Sequence, residues 1–194
     1  MKSINLILIM ILFISCKSYK SLELVEKNPT QYIFDVEFNK VKKIVINDMN
    51  NYKGMKVKTS SNDTIFCKLN DIQINDSNIL LVNENYCISS SLYYKHGTKL
   101  IYYVSFLIQL KVIDETKTMV IINTINPNVL VGRELLPSLP HMVRLLKVKK
   151  VPISTIEEYE ILLELGKYLG VNNMKKINYP KNYSTLKEPK MPWE

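Results

Sequence analysis

The chain has 194 residues and a formal net charge of +8, enough length for one domain with a proper core. A basic balance raises nucleic acid or an anionic membrane as partners. There is no alanine, however, and Ile, Lys and Asn together exceed a third of the residues, so AT-rich codon bias accounts for much of the lysine and argues against a nucleic-acid role.

Met1-Lys2 forms a short positive start, and Ile4 to Ile14 is apolar apart from Asn5. Eleven residues are too few to cross a ~30 Å hydrocarbon core, which takes about 20. Length and flanks fit a removable signal peptide. The run ends Phe13-Ile14-Ser15-Cys16 and so resembles the lipobox of bacterial lipoproteins, with Phe13 in place of the usual Leu or Val. The resemblance implies cleavage before Cys16, two or three acyl chains on that residue and stable membrane anchoring. Lys17 is not the Asp that holds enteric lipoproteins at the inner membrane, so the expected location is the outer membrane of a diderm bacterium. Residues 1–15 are then signal peptide and 16–27 a lipidated tether, followed by one α+β domain at 28–171 and a basic tail at 172–194.

In the domain, Asn28, Pro29 and Gln31 read as a helix start with a capping box. Phe34, Phe38, Val41, Val45, Met49 and Tyr52 follow as one apolar stripe, and Gly54 is placed to end the helix. This predicts a long N-terminal helix. From about residue 56 the pattern turns to strands. Segments 64–74 and 79–83 flank Asn75–Asn78, while 86–94 and 99–113 flank a two-residue loop at His96-Gly97. With Glu115-Thr116 as the next tip, Leu110 is expected opposite Ile121 and Val112 opposite Met119. The result is an antiparallel meander of four or five strands.

Residues 126–152 read as a strand extension and then an irregular or short helical link. Ser154 with Glu157 marks a capping box for a C-terminal helix reaching Gly170, whose apolar positions cover more than half its circumference. The tail holds three prolines and few aliphatic residues, and is expected to be mobile. A helix followed by such a meander is similar to cystatin-like and NTF2-like folds by architectural analogy only.

The chemistry points to no catalytic residue, no cofactor and no metal. His96 falls at a hairpin tip and His141 in the irregular link, neither at ligand spacing, and five glycines leave little for a phosphate-cradling loop. Glu157, Glu158, Glu160 and Glu164 read as the first turn and solvent face of a helix. Gly132-Arg133-Glu134 reads as a surface ion pair. An enzyme of NTF2-like type would need polar residues in the sheet's concavity, where only Ser89, Ser91 and Asn123 are candidates.

With Cys16 lipidated, Cys67 and Cys87 remain as a possible disulfide, or as two separate thiols. A three-residue loop at Asp76–Asn78 would set them opposite each other, whereas a two-residue loop would set Cys67 opposite Tyr86. Arg144, Lys147, Lys149 and Lys150, interleaved with apolar residues, are a candidate contact for an anionic surface. The composite expectation is a lipid-anchored, non-enzymatic binding or structural module of the cell envelope, partnered by the membrane through Cys16 and by an envelope protein or anionic glycolipid. The alternatives are an immunity-type lipoprotein that blocks a toxin in the periplasm and, after it, an NTF2-like enzyme.

Overall fold

The computed structural model describes residues 19–49, 52, 57–59, 65–67, 72–74, 79–136 and 143–191. The expected signal peptide, Cys16, Gly54, His141 and Trp193 lie outside these residues. The elements are β1 (Lys20–Ser21), β2 (Gln31–Phe34), α1 (Phe38–Asn47), β3 (Val57–Thr59), β4 (Ile65–Cys67), β5 (Ile72–Ile74), β6 (Ile79–Lys95), β7 (Thr98–Asp114), β8 (Lys117–Leu136), β9 (Val143–Lys150) and α2 (Ile156–Tyr168). The class is α+β.

Among the described residues, seven strands form one antiparallel sheet in the order β1-β6-β7-β8-β2, with β3 also on β6 and β9 also on β8. The expected meander is its centre, β6-β7-β8-β9. The strand number is higher than expected because short segments at the edges, β1, β2 and β3, join it.

The two hairpin tips follow from local chemistry. His96 and Gly97 have φ of 51° and 74°, the two positive values that a primed two-residue turn needs to match strand twist. At the other tip, Asp114 Oδ1 accepts hydrogen bonds from the Thr116 backbone N–H at 2.8 Å and its hydroxyl at 2.9 Å. There the register slips between Val112 and Asp114, so Leu110 faces Val120 and Val112 faces Thr118, one residue away from the expected pairing. Val120 and Ile122 point inward as a result. A further irregularity in β6 lies between Ser89 and Tyr94. There the Ser90 hydroxyl accepts the Leu92 and Tyr93 N–H groups at 3.3 and 2.8 Å, drawing the backbone out of the ladder.

The long N-terminal helix does not form. Its first turn is strand β2, in which Phe34 pairs with Thr118 of β8, and the helix spans ten residues, Phe38–Asn47, with Glu37 at its N-cap. Gln31–Phe34 completes the edge of β8 and buries Phe34, which outweighs an unsupported helical turn. The apolar stripe survives this change: Val41, Val45 and Met49 are buried on α1 and just beyond its end, with Phe38 and Tyr52 packed against the same core.

Asn28, expected as that helix's cap, is a buried junction instead. Its N–H donates to Thr155 Oγ1 at 3.0 Å, its Nδ2 to the Asn178 carbonyl at 3.1 Å, and its Oδ1 accepts from the Asn178 N–H at 2.7 Å. Helix α2 begins one residue later than expected, after Thr155 at φ 66°, with the Ser154 hydroxyl accepting the Ile156 N–H at 3.0 Å.

Two expected segments change character. Residues 16–27 are not all tether, because Lys20 and Ser21 pair with Tyr94 and Tyr93. The segment after α2, expected to be mobile, is held to the domain. The Tyr159 hydroxyl donates to the Lys175 carbonyl at 2.8 Å, and Met174 sits so close that a Cβ on Gly166 would come within 2.5 Å of its sulfur. Further on, Lys187 exchanges backbone hydrogen bonds with Lys99 and Gly97 at 2.8 and 3.0 Å. Lys99, 5% exposed, forms an ion pair with Glu188 and lies 3.8 Å above the Tyr183 ring. Burial alone would lower the Lys99 pKa, but the Glu188 and Tyr183 partners outweigh it and raise the value. Prolines exclude a continuous helix here without excluding an ordered extended chain.

A chain ending at Asn172 would lose these contacts and uncover Lys99 and the core residues that the segment packs against. The expected outcome in a thermal melt followed by circular dichroism is a Tm lower by roughly 5–10 °C, from a loss of about 2–3 kcal/mol.

Candidate functional site: a buried glutamate pair under the sheet

Helix α2 opens Ile156-Glu157-Glu158-Tyr159, and all four residues are buried. Glu157 is 3% exposed and Glu158 1%, so the expectation of a solvated acidic face fails for these two. The reason is geometric: α2 packs against β8 and β2 on one side and the 172–191 segment on another, so its first turn has little solvent-facing surface left. Glu160 and Glu164 are the carboxylates that face outward. Glu160 accepts from the Tyr179 hydroxyl at 3.0 Å, and Glu164 pairs with Lys167 at 2.7 Å.

The sheet meets the pair with polar groups. Glu157 Oε1 accepts the Ser91 backbone N–H at 3.3 Å, and Glu158 Oε1 accepts the Thr124 hydroxyl. Tyr102, 2% exposed, brings its phenol to the same region. Tyr102 Oη, Glu157 Oε2 and Glu158 Oε2 have no hydrogen-bond partner among the described residues. Three buried oxygens without donors are costly while the carboxyls are ionised and less so when they carry protons. Burial, and next the Glu158 carboxylate, push Glu157 up to about 7 despite the bonds from its own backbone N–H and from Ser91. Burial raises Glu158 too, opposed by the Thr124 hydroxyl. Tyr102 is raised by burial and then by both glutamates, and Tyr93 is pushed up to about 12 by burial, Tyr19 and Glu157. Chemically, this is a buried carboxyl that takes up its proton near pH 7, beside a buried phenol, able to donate hydrogen bonds to an oxygen or to pass a proton.

Of the polar residues expected in the concavity, Ser91 is there, contributing its backbone N–H. Ser89 donates to Glu188, on the segment that follows α2, and Asn123 is exposed. The signal that could have found the glutamates was the breadth of the apolar surface on α2, which leaves little of its circumference for solvent.

The other expected residues are dispersed. Cys67 in β4 stands opposite Ile72 of β5, while Cys87 in β6 stands opposite Tyr103 of β7, so the pairing that would have opposed the two cysteines does not form. Within segment 64–74, β4 pairs with β5, and neither pairs with 79–83. Cys87 keeps its thiol; burial raises its pKa, against a hydrogen bond with the Tyr103 side chain. Arg144, Lys147, Lys149 and Lys150 all fall in β9, opposite Leu135, Gly132, Val129 and Asn128. In 126–152 the expected strand extension is the end of β8, and Val143–Lys150, expected to be irregular or helical, is strand β9. His96 is exposed at its tip. Among the described residues, no three His, Cys, Asp or Glu side chains come together as a metal-binding group.

No protein-family model, no curated protein and no solved structure matches this chain.

The pH dependence of stability tests the glutamate pair. Because Glu157 binds its proton more tightly when folded (about 7) than the ordinary 4.5, its contribution is fully present below pH 4.5 and is lost as pH rises through 7. The expected loss is on the order of 3 kcal/mol. Glu188 and Asp114, whose pKa values are lowered, change stability only below that window. Urea unfolding between pH 4.5 and 7.5 is therefore expected to show falling stability in the native protein and a clearly flatter profile in Glu157→Gln.

Proposed function

We propose that the protein is a lipid-anchored component of the cell envelope, held in the outer membrane by acyl chains on Cys16, and that its domain acts as a non-enzymatic binding or structural module. The observation that carries this reading is the Phe13-Ile14-Ser15-Cys16 motif behind an eleven-residue apolar run. The position of the fold adds support. Strand β1 starts at Lys20, four residues after Cys16, so the domain would begin almost at the lipid. An envelope protein or an anionic glycolipid is the proposed partner class. The test is Cys16→Ser followed by detergent phase partition: the native protein is expected in the detergent phase and the variant in the aqueous phase. A variant that still partitions with detergent overturns the anchor.

A second reading, an acid–base enzyme of NTF2-like type, is favoured by one observation: Glu157, Glu158 and Tyr102 lie under the sheet with oxygens that have no partner among the described residues. The two readings differ in access. A substrate pocket would admit a water-soluble carbodiimide with a small amine, and Glu157 would be modified in the native protein near pH 6. The module reading expects Glu160 and Glu164 to be modified there, and Glu157 only after unfolding, as read by peptide mass spectrometry.

A further inference from the structure

Three parts of the chain that are distant in sequence meet at one end of the sheet. Strand β1 pairs with β6 just before the His96-Gly97 tip. The end of β9 reaches the same place, because the Tyr93 hydroxyl donates to the Pro152 carbonyl at 3.0 Å. Between them lies an open groove of ≈550 Å³ lined by Tyr19, Lys20, Ser21, Tyr93, Tyr94 and Pro152. The Tyr19 and Tyr93 rings meet edge to face at 5.6 Å.

Beside the groove runs β9. Its one partner strand among the described residues is β8. Leu146 and Val148 are 48% and 46% exposed, Lys147 and Lys150 are exposed between and beyond them, and Lys149 is half-buried. Lysines on an edge strand also discourage strand-to-strand aggregation, but that role does not call for exposed Leu and Val beside them. The charge is mainly basic. Residues 19–22, 85–105 and 143–156 contain no Asp or Glu, and β8, the partner of β9, carries one, Glu134, opposite Leu145. Glu188, which reaches the tip from the terminal segment, is already engaged by Lys99. Tyrosine rings with polar tips, exposed aliphatic side chains and lysines are the combination suited to a membrane–water boundary.

We propose that this end, the tyrosine groove with β9 beside it, is a docking surface for anionic phospholipid. The proposal deepens the lipid-anchor reading and rests on it: Tyr19 is three residues from Cys16, so the groove would lie within roughly 10 Å of the attachment point. The domain then rests on the headgroups with β9 against them, and the β7–β8 tip at Glu115-Thr116 points away.

The test is lysine acetylation of the full-length lipidated protein, reconstituted in vesicles of phosphatidylcholine alone or with phosphatidylglycerol, and read by mass spectrometry. Lys20, Lys149 and Lys150 are expected to be labelled several-fold more slowly with phosphatidylglycerol, while Lys111 and Lys117 near the far tip are labelled equally in both. The double variant Lys149→Glu, Lys150→Glu is expected to remove the difference at Lys20, the lysine of the three that still reports. Equal labelling of Lys149 and Lys150 in the two vesicles, or uniform slowing of all lysines, overturns the docking surface. Should the protein fail to insert through Cys16, the anchor reading fails alone. Protein added to the outside of the vesicles then gives the same comparison: selective slowing of Lys149 and Lys150 supports the surface, and equal labelling overturns it.

Discussion

Strand β7 is the constraint on which the rest of the structure depends. It is paired along most of its length on both sides, by β6 and by β8, and its side chains alternate between two faces. Tyr102, Val104, Phe106, Ile108 and Leu110 face the core with α1 and α2. Lys99 and Ile101 share the opposite face with Ser89, where Glu188 arrives from the segment after α2. Both faces of the central strand are thus buried at this end of the sheet, and each requires a cover that comes from elsewhere in the chain.

That requirement explains the two polar features a one-sided sheet would not have. Lys99 is buried because the terminal segment crosses it, and it stays charged because Glu188 and the Tyr183 ring accompany it. Glu157 and Glu158 are buried because the first turn of α2 lies against the sheet at Ser91, Tyr102 and Thr124. The two cases differ in charge balance: the lysine has an opposite charge beside it, whereas the glutamates face a phenol, a hydroxyl and a backbone N–H. Buried like charges without a counter-ion favour protonation over ionisation. The acid pair is therefore the place where solvent pH and the folded state are most directly linked.

The same topology separates two ends of the molecule. The His96-Gly97 tip gathers β1, the tyrosine groove and the basic β9, and the other tip, at Glu115-Thr116, carries an acidic Asp114-Glu115 pair. Glu157-Glu158 and the basic residues of β9 are each one local run of sequence, but the burial of the first and the position of the second beside the groove are not local. Each depends on which elements the long strands bring together.

Local signals in the sequence were sufficient for the features that are local in origin. The apolar run ending at Cys16 is read from length and order. The His96-Gly97 turn follows from glycine's tolerance of positive φ, and the alternation in β7 and the stripe Val41, Val45, Met49 follow from side-chain periodicity. What only the tertiary structure decided are the choices between competing partners. Gln31–Phe34 has a helical start signal yet pairs with β8, because an edge strand that buries Phe34 gains more than one added turn of an isolated helix. Strands β4 and β5 pair with each other, which takes Cys67 out of register with Cys87, because strand partners of similar apolarity differ in where the chain turns and not in composition. Glu157 and Glu158 look solvent-facing in sequence, since a first-turn carboxylate suits a helix dipole whether or not it is covered, and only the packing of α2 against the sheet at Ser91 and Thr124 determines that it is. Covering surfaces come from contacts far apart in the chain, and the periodicity of a single helix or strand does not encode them.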